Sequence, residues 1–243
     1  MRRSKKKYYS VGSQNCLSGR RAVVLLSGGL DSAVTLYDAI KKGYRCHCLI
    51  FDYGQRHRRE IQSAKRIAQS VKCSFRVLKI GLPWKGSSLL DKKVKVPRTA
   101  HRAPHRIPST YVPARNIIFL SFALSYAEAI GAKFIFIGAH SQDYSGYPDC
   151  RAKFYQAFSG VIRNGTKAGS EGRELKVRTP LIWMNKAQII RLGMRLGVPF
   201  ELTWSCYTGG KRPCGVCDSC RFRAKGFQEA NLRDVLNKGR SRR

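Results

Sequence analysis

The stretch AVVLLSGGLDSAVTLYDAI (residues 22–40) decides the fold of this chain. It opens with five apolar residues, AVVLL, which predict a strand buried on both faces. The loop SGGLDS follows at residues 27–32, and apolar residues then recur at roughly helical spacing in Val34, Tyr37 and Ile40. A glycine-rich loop between a buried strand and a helix lies at the carboxyl edge of a parallel sheet. It is therefore a place where phosphate can approach the backbone.

The loop differs from the two common phosphate-binding motifs. It lacks the lysine of GxxxxGK[ST] and the spacing of GxGxxG, and it carries Asp31 instead. A carboxylate at this place predicts a magnesium ion that bridges it to pyrophosphate. The alternative is that Asp31 only caps the helix. Because glycines permit positive φ and serines can donate hydrogen bonds, we expect nucleotide contacts from the whole loop and the two residues before it: Leu25, Leu26, Ser27, Gly28, Gly29, Leu30, Asp31 and Ser32.

Strand and helix patterns alternate along the first third of the chain. This alternation predicts an α/β, Rossmann-like doubly wound parallel sheet with helices on both faces. Strands are expected at 22–26, 45–51, 74–80, 133–139 and 175–181. Helices are expected at 32–42, 58–71, 115–130, 151–163, 185–196 and 222–236, with a flexible loop at 164–174.

Composition shifts divide the chain into four parts. A basic extension (1–21) precedes the α/β domain with the predicted nucleotide loop (22–200), and a small cysteine-rich segment with a C-terminal helix (201–236) precedes a basic tail (237–243). Within the α/β domain, prolines and basic residues around 91–108 predict a long loop or lid.

The net charge of +33 has two interpretations. It can indicate a polyanion partner such as RNA, or a generally basic composition without a nucleic-acid site. The basic residues are spread along the chain without interleaved aromatics, which favours the second interpretation. Without a membrane-spanning apolar run or a secretory signal, the sequence predicts a soluble cytoplasmic protein.

Four of the nine cysteines crowd into WSCYTGGKRPCGVCDSC, in which Cys206, Cys214, Cys217 and Cys220 have the spacing C-x7-C-x2-C-x2-C. An odd total with one tight cluster indicates a reducing compartment and a metal rather than disulfides. Four thiolates suit tetrahedral zinc, with an iron–sulfur cluster as the rival. Glycine and proline turns between the cysteines favour zinc. Because sulfur fills all four positions, that zinc is expected to be structural.

Polar segments at the ends of predicted strands supply candidates for a second substrate. Side chains for stacking on a heterocycle or pairing with its edge are Tyr144, Tyr147, Asp143, Asp149 and Arg151. Three cations are candidate clamps on phosphate or on developing negative charge: Arg56, Arg115 and Lys186. Any one of these residues can instead be an ordinary surface-loop residue.

SGGLDS resembles the PP-loop of the ATP pyrophosphatases, which adenylate a substrate oxygen so that a nucleophile can displace AMP. Together with FDYGQRH, STYVPARN, DYSGYPDCR and the four-cysteine spacing, the chain resembles the 7-cyano-7-deazaguanine synthase family from residue 22 to about 230. The resemblance implies ATP, Mg²⁺ and structural Zn²⁺, with 7-carboxy-7-deazaguanine and free ammonia as substrates. It implies catalytic roles for Asp31, Lys186 and Arg115, and a homodimer. Asn185 is a departure, since Ser or Thr is common before the lysine.

Two other functions stay open at this stage. A tRNA-modifying PP-loop enzyme fits the net charge and predicts turnover that depends on tRNA. A non-enzymatic RNA-binding zinc protein with a degenerate nucleotide site predicts a steep salt dependence and no AMP release. The intact SGGLDS loop speaks against the degenerate site.

Overall fold

The computed structural model describes residues 20–84, 86–91, 93–97, 107–140, 146–173 and 175–237. The strands are β1 Arg21–Leu25, β2 Arg45–Asp52, β3 Ser74–Lys79, β4 Phe134–Ile137 and β5 Lys176–Arg178. The helices are α1 Leu30–Lys41, α2 Arg59–Ser70, α3 Arg115–Ile130, α4 Ala152–Gly165, α5 Lys167–Ser170, α6 Lys186–Leu196 and α7 Asp218–Glu229. Short 3-10 helices lie at Pro148–Cys150, Phe200–Leu202 and Val235–Asn237.

The strands form one parallel sheet in the order β3-β2-β1-β4-β5. This confirms the predicted doubly wound α/β fold. The chain moves outward from β1 through β2 to β3 and then returns to the other side of β1 with β4 and β5. The order therefore reverses between β1 and β4, which is where doubly wound sheets bind ligands.

Alternate residues of β1 pack on opposite faces of the sheet. Val24 belongs to a buried cluster with residues of α1, α2 and α6, whereas Val23 belongs to a second cluster with residues of α3 and α4. Both valines are fully buried, and burial of such a side chain contributes roughly 1.5–3 kcal/mol. The continuous apolar run of β1 is thus explained by helices on both faces.

The predicted boundaries of the last helix are wrong at both ends. Helix α7 begins at Asp218 with Cys217 as its N-cap, so it starts inside the cysteine cluster rather than at residue 222. It ends at Glu229 because Asn231 adopts a left-handed φ of +58° and the following N–H of Leu232 turns back to the carbonyl of Phe227 at 2.9 Å. Phe227 lies in the same buried cluster as β1, so the C-terminal segment shares the core of the sheet.

The expected flexible loop at 164–174 is also only partly correct. It contains the short helix α5, whose N-cap residue Thr166 accepts a hydrogen bond from the N–H of Gly169 at 2.9 Å. Most of the predicted N-terminal extension and C-terminal tail, and residues 98–106 of the basic loop, lie outside the described residues. Among the described residues, no helix combines the length and apolar character needed to cross a membrane.

Candidate active site

A cavity of about 260 Å³ opens at the carboxyl ends of β1, β2 and β4. Loops that follow these strands supply its walls, together with the N-terminus of α3 and the segment before the cysteine cluster. All eight residues predicted to contact nucleotide lie in or beside it, and seven of them line it directly: Leu25, Leu26, Ser27, Gly29, Leu30, Asp31 and Ser32. The topological switch point is therefore concave, as a ligand site requires.

Hydrogen bonds among its own residues hold the SGGLDS loop in shape. The Ser27 hydroxyl donates to Ser32 Oγ at 3.0 Å and accepts from the N–H of Gly29 at 3.3 Å. Gly28 has a φ of +85°, and a Cβ there would lie 2.1 Å from the carbonyl oxygen of Glu60. Glycine is thus required at position 28, because the backbone of the loop contacts the backbone of the first turn of α2. Gly29, with φ of −76°, does not use the positive φ that glycine permits.

Asp31 does not cap α1. The N-cap is Gly29, which has no side chain to cap the helix, and Asp31 lies inside the first turn. Its two carboxylate oxygens accept hydrogen bonds from Lys186 Nζ at 2.7 and 2.9 Å, and His140 Nε2 lies 3.6 Å from Oδ2. Burial raises the pKa of Asp31, but Lys186 and His140 outweigh burial and hold it well below its usual range. The carboxylate is therefore ionised at neutral pH.

Lys186 reaches Asp31 from the first residue of α6, 155 positions along the chain. Its aliphatic part packs where α6 and α7 cross, since a Cβ on Gly226 would lie only 2.3 Å from Lys186 Cγ. The helix start is fixed by a capping box. Asn185 Oδ1 accepts from the N–H of Gln188, and Gln188 Oε1 accepts from the N–H of Asn185, both at 2.9 Å. Asparagine caps as well as serine or threonine, so this departure from the family pattern preserves the lysine's position.

Arg115 begins α3 and lines the cavity from the opposite side. Its Nη1 donates to the hydroxyl of Tyr53 at 3.4 Å, and no carboxylate among the described residues forms an ion pair with it. Asp149, predicted to bind substrate, instead accepts from the backbone N–H of Asn116 at 3.1 Å and is buried. It therefore stabilises the N-terminus of the helix that positions Arg115.

The remaining predicted substrate residues are scattered. Arg56 Nη2 donates to the backbone carbonyls of Asp91 and Val94, at 2.9 and 3.1 Å, and so connects the end of β2 to the basic loop. Tyr147 shares a 2.6 Å hydrogen bond with Thr110, and Arg151 is an exposed N-cap residue of α4. Asp143 and Tyr144 lie outside the described residues.

The sequence analysis missed several polar and aromatic side chains that line the cavity or adjoin Lys186. These are Tyr53, His57, Glu60, His140 and Trp204. Most of them belong to the polar segments predicted at strand ends. Within those segments, however, mainly charged side chains are predicted as candidate ligands. A buried tyrosine or histidine gives no comparable signal, since both are common in ordinary cores.

The four cysteines of the C-terminal segment converge as predicted. Their sulfur atoms all lie within 4.8 Å of one another, and Cys214 Sγ lies 3.9 Å from Cys220 Sγ. Four ligands at a Zn–S distance of about 2.3 Å place sulfurs about 3.8 Å apart, so this cage fits tetrahedral zinc. Backbone N–H groups of Cys214 and Cys217 donate to cluster sulfurs at 3.3 and 3.4 Å, which stabilises thiolates.

The cysteine segment is tied to the SGGLDS loop through Trp204. The N–H of Trp204 donates to the carbonyl of Gly28 at 2.8 Å, and its indole N–H donates to the carbonyl of Cys206 at 3.0 Å. The Arg59 guanidinium lies over the indole ring at 4.3 Å and donates to the carbonyl of Gly210. Trp204 therefore joins Cys206 to Gly28 of the SGGLDS loop through two hydrogen bonds.

The sequence model of the family described as "Queuosine biosynthesis protein QueC" matches residues 21–231. The chain belongs to this family. It is 50% identical over 220 residues to the 7-cyano-7-deazaguanine synthase of Trichodesmium erythraeum, covering 89% of this chain and 99% of that protein. It is 52% identical over 220 residues to the 7-cyano-7-deazaguanine synthase of Nostoc punctiforme, covering 89% and 98%. Among solved structures, NMN synthetase from Francisella tularensis matches with a TM-score of 0.47 and 16% identity, covering 88% of this chain and 78% of that one.

The match to the QueC family begins at β1 and ends just after α7. It therefore spans the SGGLDS loop, the cavity and all four clustered cysteines. The family resemblance that the sequence motifs indicated is confirmed.

Proposed function

We propose that the protein is a 7-cyano-7-deazaguanine synthase. It converts 7-carboxy-7-deazaguanine and ammonia to the nitrile at the expense of ATP. The observation that carries the proposal is the identity of about half of all residues with named synthases along almost their whole length. The cavity at the switch point, with an ionised Asp31 beside a glycine loop, supplies the nucleotide site that such a reaction needs.

The chemistry explains why ATP is needed. A carboxylate is a poor acyl donor because its leaving group would be oxide. Attack of a carboxylate oxygen on the α-phosphorus of ATP releases pyrophosphate and gives an acyl-adenylate, from which ammonia displaces AMP to form an amide. A second ATP adenylates the amide oxygen with release of pyrophosphate, and loss of AMP and of both nitrogen-bound protons leaves the nitrile. The protein contributes mainly positioning and charge neutralisation.

The chain's own residues divide these tasks. Asp31 is a fitting ligand for Mg²⁺, because its oxygens are ionised and open to the cavity, and Mg²⁺ supplies charge neutralisation on the pyrophosphate. Lys186 and Arg115 contact phosphate oxygens or the developing charge from opposite walls. Direct substrate contacts stay predictions for six residues: Arg56, Asp143, Tyr144, Tyr147, Asp149 and Arg151. The four cysteines hold a structural zinc.

We also propose the oligomeric state of the protein and the compartment in which it acts. The protein acts as a homodimer, which is consistent with the exposed apolar side chains of Ile117 and Phe122 on α3. It acts in the cytoplasm, which is consistent with the finding that none of the described cysteines forms a disulfide. RNA is not required for turnover, although the net charge of +33 permits nucleic-acid binding.

The test is a reconstituted reaction. Purified protein, Mg²⁺–ATP, ammonium and 7-carboxy-7-deazaguanine are incubated without RNA, and mass spectrometry follows the product. We expect the nitrile, with AMP and pyrophosphate. Turnover only after tRNA is added would favour a tRNA-modifying enzyme, and RNA binding without AMP release would favour a non-catalytic protein. Asp31→Ala should abolish turnover while folding and zinc content persist.

A further inference from the structure

Two acidic side chains lie among the described residues that line the cavity, Asp31 and Glu60. Asp31 is neutralised by Lys186 at 2.7 Å. Glu60 instead accepts a hydrogen bond from the Gln55 amide at 3.1 Å, its other oxygen lies 3.1 Å from His57 Nε2, and no lysine or arginine of the described part pairs with it. Glu60 is therefore the negative group in this cavity that still lacks a full countercharge.

The contact with Glu60 fixes the tautomer of His57. A carboxylate oxygen accepts from an N–H, so the 3.1 Å contact assigns the proton to His57 Nε2 and leaves a lone pair on Nδ1. His57 is 3% exposed, and its Nδ1 has no hydrogen-bond partner within the described parts of the chain. A carboxylate that orients an imidazole whose other nitrogen is free to accept a proton is the arrangement of a catalytic base.

We propose that Glu60 and His57 form the site that binds ammonium and removes its proton, a proposal that rests on the proposed synthase function. Ammonium is a cation that must enter a protein of net charge +33, so the site needs a local negative group. Glu60 supplies this negative charge across the imidazole ring, so the ammonium lies at His57 Nδ1, on the side of the ring opposite the carboxylate. The ring of Tyr207 lies beside the dyad, 5.9 Å from the His57 ring.

The step balances as follows. Ammonium gives one proton to His57 Nδ1, and the imidazolium is stabilised by the Glu60 carboxylate. The freed lone pair of ammonia forms a C–N bond with the acyl carbon of the adenylate. The bond from that carbon to the AMP oxygen breaks, and AMP leaves with the electron pair. A second proton departs from nitrogen to solvent, which leaves the neutral amide.

The test separates adenylation from nitrogen transfer. Glu60→Gln and His57→Asn are compared with wild type in pyrophosphate exchange into ATP, run with 7-carboxy-7-deazaguanine but without ammonium. They are also compared in amide and nitrile formation over a range of ammonium concentrations. Glu229→Gln, which changes a carboxylate in an exposed pair with Lys225, is the matched control. Hydroxylamine, a neutral amine near neutral pH, serves as a nucleophile that needs no prior deprotonation.

We expect exchange to persist within about two- to threefold, while kcat/KM for ammonium falls about 100-fold or more, as loss of a general base does. Hydroxylamine should react at near wild-type rates in both variants. Equal loss of exchange and nitrogen transfer would overturn the dyad in favour of a structural role, and so would unchanged use of ammonium. If wild type itself shows no exchange, the proposed function fails, and the ammonium site fails with it.

Discussion

Replacing each glycine of SGGLDS by alanine should have a different effect on the stability of the protein. Gly28→Ala must adopt a φ of +85° and places its Cβ 2.1 Å from the carbonyl oxygen of Glu60 and 2.7 Å from the N–H nitrogen of Ala64. Both contacts are with backbone, so no rotamer change relieves them. Gly29→Ala keeps an ordinary φ of −76°, and its nearest neighbour is the Ser27 hydroxyl at 3.4 Å, an ordinary contact.

The magnitude follows from these two costs. A left-handed conformation costs a non-glycine residue roughly 1–2 kcal/mol. Forcing an extra carbon into a packed region costs about another 1–3 kcal/mol. Gly28→Ala should therefore lose roughly 2–5 kcal/mol, out of the 5–15 kcal/mol typical of a whole domain. At about 2–4 °C per kcal/mol for a chain of this size, the melting temperature should fall by roughly 4–20 °C.

Thermal unfolding and ATP titration together provide the assay. Gly28→Ala should melt early, whereas Gly29→Ala should melt with wild type and instead bind ATP more weakly, because its new methyl group stands where phosphate approaches the backbone. Melting of Gly28→Ala within about 1 °C of wild type would refute the steric reasoning, since the expected loss is several-fold larger. Equal destabilisation by both substitutions would refute it as well.

Two further predictions concern the partners of this loop. Lys186→Met removes one of the two groups that hold the pKa of Asp31 low, so this pKa rises, with His140 alone left to oppose burial. In wild type the depressed pKa of Asp31 stabilises the folded protein. This stabilisation is complete above about pH 4 and is lost as the pH falls toward the pKa of Asp31 in the folded protein. In the variant, the free energy of denaturant unfolding should therefore fall less at acid pH than in wild type. An identical pH profile would contradict the ion pair. Cys217→Ser should lower bound zinc, melting temperature and ATP affinity together, because Trp204 joins the metal segment to Gly28. Metal analysis, thermal unfolding and nucleotide titration measure these effects. Normal ATP binding by a zinc-free variant would refute the link.

The parts predicted correctly from sequence are those with local signals. The buried run of β1, the glycine loop and the start of α1 are contiguous, and the parallel sheet follows from strands that alternate with helices. The four cysteines are also recognisable by spacing alone, and their sulfurs do meet within 4.8 Å. Helix α7 ends early, before Asn231, whose left-handed φ interrupts the predicted helix.

The parts that escaped prediction depend on tertiary contacts. Lys186 was recognised as a candidate, but nothing in the local sequence shows that its nitrogen meets Asp31, 155 residues away. Nor does the local sequence show that the carboxylate of Asp149 accepts from the backbone N–H of Asn116 in the first turn of α3. A polar residue at a strand end can serve the ligand or the loop that surrounds it. Only the packed structure decides which, because both uses require the same chemical group.

The position of Trp204 changes what a structural zinc means for this protein. A closed four-sulfur site does no chemistry of its own, and its distance in sequence from SGGLDS suggests a separate staple. Yet the hydrogen bonds of Trp204 run from the carbonyl of Cys206 to the carbonyl of Gly28, and Trp204 and Tyr207 themselves line the cavity. The cysteine segment is therefore one wall of the cavity. Because the Gly28 loop also lies in backbone contact with α2, it is held from both sides, which preorganises the cavity.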